Sequence, residues 1–117
     1  MYQDIRKRTF KFALGIIAFI NELPRTQLGK ILGGQVLRSG TSVGANVEEA
    51  VAAYSKDEYV YKMNIALKEA REAHYWLRLI ENSNMLAAKS VDGLIEEIDE
   101  IKKVLGAIVS KLRGKSK

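Results

Sequence analysis

The spacing of apolar residues constrains this chain more than any other feature of its sequence. Over residues 59–80 and 91–112, apolar side chains recur at alternating steps of about four and three. Such a recurrence places the apolar side chains in one row, or seam, along a helix. Seams of this kind are typical of helices that pack side by side. No stretch alternates with a period of two for long enough to indicate a strand. The sequence therefore predicts an all-α fold.

Four helices are predicted, approximately over residues 3–23, 26–54, 55–82 and 90–113. Pro24 closes the first helix, because the residue before a proline is pushed out of the α region. Ser55 and Glu58 fit a capping box at the start of the third helix, and Ser90 is placed to cap the fourth. Residues 114–117 are expected to form a frayed basic tail.

Short connections between these helices favour an antiparallel up-down-up-down four-helix bundle. A chain of 117 residues can bury one core and is too short for two self-sufficient domains. We therefore expect residues 1–117 to form a single four-helix bundle domain.

The second predicted helix contains Gly29, Gly33, Gly34, Gly40 and Gly44. Each glycine inside a helix costs about 1 kcal/mol relative to alanine. Four of them, spaced by 4, 7 and 4, share one face, on which a neighbouring backbone could approach closely. Close helix contact is the preferred explanation, and a break near Gly33 and Gly34 is the alternative.

The chain contains no cysteine, which excludes disulfides, thiolate metal sites and cysteine nucleophiles. No apolar run approaches the roughly 20 residues of a membrane span, and residues 1–4 lack a signal-peptide pattern. We expect a cytoplasmic protein with no membrane association.

The net charge of +5 is unevenly distributed. Both terminal segments are basic, whereas residues 81–100 carry one lysine against six acidic residues. An up-down-up-down bundle would bring both termini to one end. The predicted nucleic-acid-binding set at this end is Arg6, Lys7, Arg8, Lys11, Lys111, Arg113, Lys115 and Lys117. The alternative is that the basic termini only keep the protein soluble.

A polar stripe runs along the second predicted helix at steps of 3, 4, 4 and 3: Gln35, Arg38, Ser42, Asn46 and Glu49. An ordinary solvated face is the alternative, but such faces usually carry Lys and Glu rather than Gln, Ser and Asn. The stripe therefore predicts buried or interfacial hydrogen bonds that set helix register or oligomeric state.

Two predicted helices carry apolar residues beyond their seams. In the first, Phe10, Leu14, Ile17 and Ile20 widen the apolar stripe. In the third, Leu67 and Leu79 lie off the main seam, so the apolar surface exceeds what one internal seam requires. The excess on the third helix indicates a subunit interface.

No residue pattern indicates catalysis. The only histidine, His74, follows Arg71 at the step where a di-iron bundle needs glutamate. A single histidine leaves no acid–base pair of the usual kind, and residues 40–44 lack the Walker spacing of a phosphate loop. We expect no enzyme activity, no bound metal and no cofactor.

Tyr75 and Trp76 adjoin the third seam. Large aromatic residues at helical spacing are typical of a core rather than of a ligand platform. No RNA-recognition motif with exposed aromatic residues is visible.

Three segments resemble the "four helix bundle protein" family, also called 23S rRNA intervening-sequence proteins. They are residues 35–50 (QVLRSGTSVGANVEEA), 54–59 (YSKDEY) and 65–77 (IALKEAREAHYWL). The resemblance implies a left-handed antiparallel bundle that assembles as a ring-like homo-oligomer, usually a pentamer, and it implies no particular activity. The chain also looks similar to the accessory variability protein of diversity-generating retroelements, which implies nucleic-acid binding.

Two hypotheses of function follow. The first is a non-catalytic homo-oligomeric bundle that binds RNA or DNA phosphates through its basic end. The alternative is a protein-binding or scaffolding oligomer with no nucleic-acid role.

Overall fold

The computed structural model describes residues 2–85 and 89–115. It contains helices α1 (Tyr2–Ile20), α2 (Gln27–Val51), α3 (Lys56–Asn82) and α4 (Lys89–Lys115). Within these two ranges there is no strand. The predicted all-α fold with four helices is confirmed.

The helix ends differ from the prediction by a few residues. α1 stops at Ile20, because the chain tightens into turns in which Glu22 N donates to Phe19 O at 2.9 Å before Pro24. α2 ends at Val51 instead of residue 54. α4 begins at Lys89, with Ser90 in its first turn; the side chain of Ser90, on which the predicted cap depends, lies outside the described part. The helix continues to Lys115, beyond the expected start of the tail.

The capping box at the start of α3 is confirmed. Ser55 is the N-cap, and its Oγ accepts a hydrogen bond from Glu58 N at 3.1 Å. The Glu58 carboxylate reaches back and accepts from Tyr54 N at 3.2 Å. Two backbone donors that the helix itself cannot satisfy are thus paired.

The helices follow one another around the bundle in chain order. Each helix packs on its neighbours in sequence, α4 also packs on α1, and the diagonal pairs make no contact. Arg6, near the start of α1, meets Glu48 near the end of α2, as expected for antiparallel neighbours. The described part of the chain forms a rod of 48 × 20 × 20 Å with up-down-up-down topology.

The predicted seams form the core, where almost no solvent reaches the side chains. The largest fully buried side chains are Ile5, Ile16, Met63, Leu77, Ile80, Ile98, Ile101, Leu105 and Ile108, with Val36, Val43 and Val47. No helix of the described ranges combines the length and apolarity needed to cross a bilayer.

The glycines of α2 allow α1 to approach closely. A Cβ at Gly40 would lie 2.9 Å from Ile16 Cγ1, and one at Gly33 would lie 2.9 Å from Leu23 Cδ1. α2 is continuous through these positions. Close contact is therefore confirmed as the reason for the glycines, and the alternative of a break is wrong.

Candidate interfaces for self-association and nucleic acid

The antiparallel topology brings the two basic segments of the chain to one end of the rod. Arg6, Lys7 and Arg8 lie in the early turns of α1, and Lys111 and Arg113 lie in the last turns of α4. Lys11 lies about one turn further along α1. The side chain of Lys115 and the whole of Lys117 lie outside the described residues.

Two arginines of the predicted set are engaged by carboxylates of the same chain. Arg6 Nε lies 2.9 Å from both oxygens of Glu48. Arg8 donates to Glu97 from Nε at 2.6 Å and from Nη2 at 3.0 Å. The hydrogen bonds to these carboxylates raise the pKa of both arginines. Glu48 and Glu97 therefore neutralise the charge of these two arginines and occupy part of their donors.

Lys7, Lys11, Lys111 and Arg113 are exposed and form no ion pair with another described residue. Asp4, Asp57 and Glu58 lie at the same end of the rod. The excess of positive charge is therefore smaller than the sequence alone indicates; these four cations and Lys56, at the start of α3, contribute to it.

The polar stripe of α2 lies along the outer groove between α2 and α3. Arg38 binds Glu69, with Nη1 3.3 Å from Oε1, and also binds Glu72. Further along the groove, Lys62 Nζ lies 2.7 Å from Glu49. The charged ends of the stripe thus hold two helices of the same chain together.

The middle of the stripe hydrogen-bonds to its own helix. Ser42 Oγ donates to Arg38 O at 2.6 Å, and Asn46 Nδ2 donates to Ser42 O at 2.8 Å. Gln35 Oε1 accepts from Arg38 Nε at 3.4 Å. These side chains are half-buried or exposed in the isolated chain, and a role for the stripe in oligomerisation stays a prediction.

The largest exposed apolar stripe lies on α1. Phe10, Leu14 and Ile17 are 63%, 54% and 48% exposed and share one face of the helix. On α3, by contrast, Leu67 is buried and Leu79 is 39% exposed. The sequence interpretation is therefore wrong for Leu67, which packs into the core, whereas Leu79 is exposed as expected; a subunit interface on the third helix stays a prediction.

The two adjacent aromatic residues of α3 have different environments. Trp76 packs against the core, and its indole Nε1 donates to Glu72 at 3.0 Å. Tyr75 is exposed, and Tyr61 is exposed on the same helix. The core interpretation is confirmed for Trp76 and wrong for Tyr75.

Sequence reasoning also missed the cations beside these tyrosines. Lys68, Arg71 and Arg78 share the exposed face of α3 that carries Tyr61 and Tyr75. Lys68, Arg71, Tyr75 and Arg78 follow steps of three, four and three, so they share one face while Glu69 and Glu72 lie on another; this spacing was the signal that could have identified them.

His74 lies in the groove between α3 and α4. Its Nδ1 is 2.8 Å from Lys102 Nζ. Burial lowers the pKa of His74, and the charges of Lys102 and Arg78 lower it further, whereas Asp99 opposes them. Among the described residues, no group of three or more histidine or carboxylate side chains could hold a metal ion.

Comparisons with known proteins agree with this architecture. The family described as 23S rRNA-intervening sequence protein matches residues 2–107. A crystal structure of a protein of unknown function from the S23 ribosomal protein family of Bacteroides thetaiotaomicron is 34% identical. The match covers 93% of this chain and 97% of that one, with a TM-score of 0.86. No curated protein matches the chain.

Proposed function

Since the chain belongs to the 23S rRNA-intervening sequence protein family, we propose that it is a cytoplasmic, non-catalytic homo-oligomer that binds RNA or DNA phosphates through its basic end. The alternative is an oligomeric scaffold for another protein. Two surfaces support the proposal, one apolar and one basic.

Self-association is supported by the exposed stripe of Phe10, Leu14 and Ile17 on α1. Fully burying a side chain of this size is worth about 1.5–3 kcal/mol. These three are about half exposed, so association can gain about half of that from each. Leu37 of α2 lies beside this region, in a cleft that it lines with Ile20. A pentamer is the assembly favoured by family resemblance.

A mass measurement tests self-association. The wild-type chain should elute at a mass about five times its own 13.1 kDa in size exclusion with light scattering. A double substitution, Phe10→Ser with Leu14→Ser, should shift the mass toward that of one chain while helical circular dichroism is retained. Tyr54→Ser is the matched control, because Tyr54 is fully exposed in the turn before α3. A wild-type monomer would reject the homo-oligomer.

Nucleic-acid binding is supported by Lys7, Lys11, Lys111 and Arg113, which have no carboxylate partner among the described residues. Each phosphate contact releases counterions, so the affinity should fall steeply with salt. The single observation that carries the proposal is the position of Lys7, Lys111 and Arg113 toward one end of the rod, with Lys11 at the middle of α1.

The test is binding of a structured RNA fragment to the wild-type oligomer at low and moderate salt. Replacing all four residues with glutamine should weaken binding and flatten the salt dependence. Unchanged affinity in this variant would reject the assignment to the basic end. An oligomer that is indifferent to RNA at both salt concentrations would favour the scaffold.

A further inference from the structure

Between Tyr61 and Arg78, one exposed face of α3 carries cations and tyrosines but no acidic residue; Asp57, one turn before Tyr61, lies on the same face. The positions from Tyr61 onward follow steps of 3, 4, 3, 4 and 3, and they form what we call the α3 stripe: Tyr61, Asn64, Lys68, Arg71, Tyr75 and Arg78. All six are exposed except Asn64, which is half-buried. At 1.5 Å per residue, the stripe is about 26 Å long.

The charges of α3 are separated by face. Its central carboxylates, Glu69 and Glu72, turn toward α2 and bind Arg38 there. Lys68, Arg71 and Arg78 form no ion pair with any residue in the described ranges. Unlike Arg6, Arg8 and Arg38, these three cations are not held in an ion pair within the described ranges, although Glu81 interacts electrostatically with Arg78.

The stripe borders a cleft between α3 and α4. The cleft has a volume of about 480 Å³, and its lining includes Asn64 and Arg71 on one side with Ser110 and Arg113 on the other. No acidic residue lines it. Two guanidinium groups and two small polar side chains in one cleft suit the oxygens of a phosphate backbone.

Gly106 also lines this cleft. A Cβ at this position would meet nothing within 4 Å, so packing within the described chain does not require glycine there. Glycine inside a helix costs about 1 kcal/mol relative to alanine. Its lack of a side chain leaves room in the cleft beside Arg71.

The two tyrosines of the stripe offer aromatic surface to solvent. Tyr61 is 62% exposed and Tyr75 is 53% exposed. Tyr75 packs against Trp76 in an edge-on arrangement, with ring centroids 5.1 Å apart. Lys62 Nζ lies 5.9 Å from the centroid of the Tyr61 ring. Exposed aromatic rings beside cations are the features on which unpaired bases stack in single-strand binding proteins.

We propose that the α3 stripe, together with Arg113, binds a single-stranded segment of nucleic acid, with phosphates on the cations and bases stacked on Tyr61 and Tyr75. The inference rests on the proposed function and extends its contact surface from the basic end along α3. A duplex keeps its bases stacked inside and leaves the tyrosines without a role. An acidic polypeptide would contact only the cations and would likewise leave the tyrosines without a role.

The stripe and the apolar surface can be used together. α1 and α3 are diagonal in the bundle and make no contact. The stripe of Phe10, Leu14 and Ile17 therefore faces away from the α3 stripe. Contacts on the stripe of α1 do not themselves cover the α3 stripe, although a ring-like oligomer needs a second, different surface on each subunit.

The first test removes charge from the stripe. A labelled, unstructured RNA of roughly 12 nucleotides, within the site sizes of single-strand binding proteins, is titrated against the full chain at several salt concentrations. Replacing Lys68, Arg71 and Arg78 with glutamine should weaken binding at least tenfold. The slope of log affinity against log salt should fall by about 2, since each lost phosphate contact removes about 0.7.

A second triple variant is the charge-matched control. It replaces Lys7, Lys11 and Lys111 with glutamine and so removes the same charge from the basic end. If this control loses affinity while the stripe variant binds like wild type, the α3 stripe is rejected and the proposed function stands. If wild type shows no salt-sensitive RNA binding, both are rejected. Circular dichroism and mass confirm that each variant is folded and assembled.

The second test addresses the tyrosines. Tyr61→Leu with Tyr75→Leu should weaken single-strand binding roughly five- to hundredfold, because base stacking is lost, and should leave the salt slope unchanged. Affinity equal to wild type would overturn the stacking role. Equally tight binding of a duplex of the same sequence, or of polyglutamate, would overturn the assignment to single strands.

Discussion

His74 accepts a hydrogen bond from Lys102 across the groove between α3 and α4, with Nδ1 2.8 Å from Nζ. An ammonium group can only donate. Neutral His74 therefore carries its proton on Nε2, away from Lys102. Protonating Nδ1 would break this hydrogen bond and place two cations in contact.

The stability of the protein should accordingly depend on His74 below neutral pH. Burial first, and Lys102 second, lower the pKa of His74 in the folded state, whereas an unfolded chain titrates near its ordinary value of about 6.5. At pH values between the folded-state and the unfolded-state pKa of His74, the unfolded state binds more protons than the folded state. The free energy of unfolding therefore falls as the pH falls below about 6.5.

Urea unfolding at pH 5 and pH 7.5, at fixed protein concentration, measures this dependence. His74→Gln removes the titrating group and should show a smaller loss of stability at the lower pH. A loss as large as in wild type would assign the effect to other titrating groups. Glu81 is not one of them: its pKa is raised by its hydrogen bond with Asp92, so its protonation favours the folded state as the pH falls.

Gly40→Ala should destabilise the fold by about 1–3 kcal/mol, because the added Cβ would lie 2.9 Å from Ile16 Cγ1 in a packed helix contact. Gly93→Ala is the matched control. Its Cβ would meet nothing within 4 Å, and it should stabilise the fold by about 0.5–1 kcal/mol through helix propensity alone. Thermal unfolding of both variants measures the difference, and similar effects of the two substitutions would contradict a close α1–α2 contact.

Ser55→Ala should cost about 1 kcal/mol, because Glu58 N then loses its acceptor at the start of α3. Ser55→Asp keeps an acceptor oxygen and should retain most of the stability. Ser110→Ala, at an exposed position within α4, should stay within about 0.5 kcal/mol of wild type. Urea unfolding compares the three variants, and an equal loss in Ser55→Ala and Ser110→Ala would argue against the cap.

Arg38→Gln leaves Glu69 and Glu72 without their shared cation. Because all three side chains are at least partly exposed, we expect a loss of about 0.5–1 kcal/mol that shrinks as salt is added. This loss of stability is measured by urea unfolding, with the fluorescence of Trp76 as the signal, since Trp76 donates a hydrogen bond to Glu72. A change in oligomer mass in the same variant would show that the polar stripe also contributes to self-association.

The sequence-based predictions were correct where the contacting residues belong to one helix or to two consecutive helices. The cap at Ser55 involves residues within one turn. The glycine spacing in α2 predicted a close neighbour, and α1, the preceding helix, is that neighbour. Pro24 marked the first connection within a few residues of its true place.

The failures arose where the partner lies far along the chain. Arg6 and Arg8 looked like free cations, but their carboxylates are 42 and 89 residues away. The spacing placed Tyr75 next to an apolar seam, but it did not show whether that flanking position is covered by another helix or exposed. Leu67 was misassigned for the same reason, since only the packing of all four helices decides which flanking positions are covered.

The order of helices around the bundle has a consequence for folding kinetics. Three of the four helix–helix contacts join consecutive helices through short connections, and only the contact between α1 and α4 spans the whole chain. Proteins dominated by local contacts fold quickly, because little loop-closure entropy must be lost first. We expect hairpins of adjacent helices to form early and the α1–α4 seam, with Arg8 on Glu97, to close last. Arg8→Gln should then speed unfolding and leave the folding rate nearly unchanged.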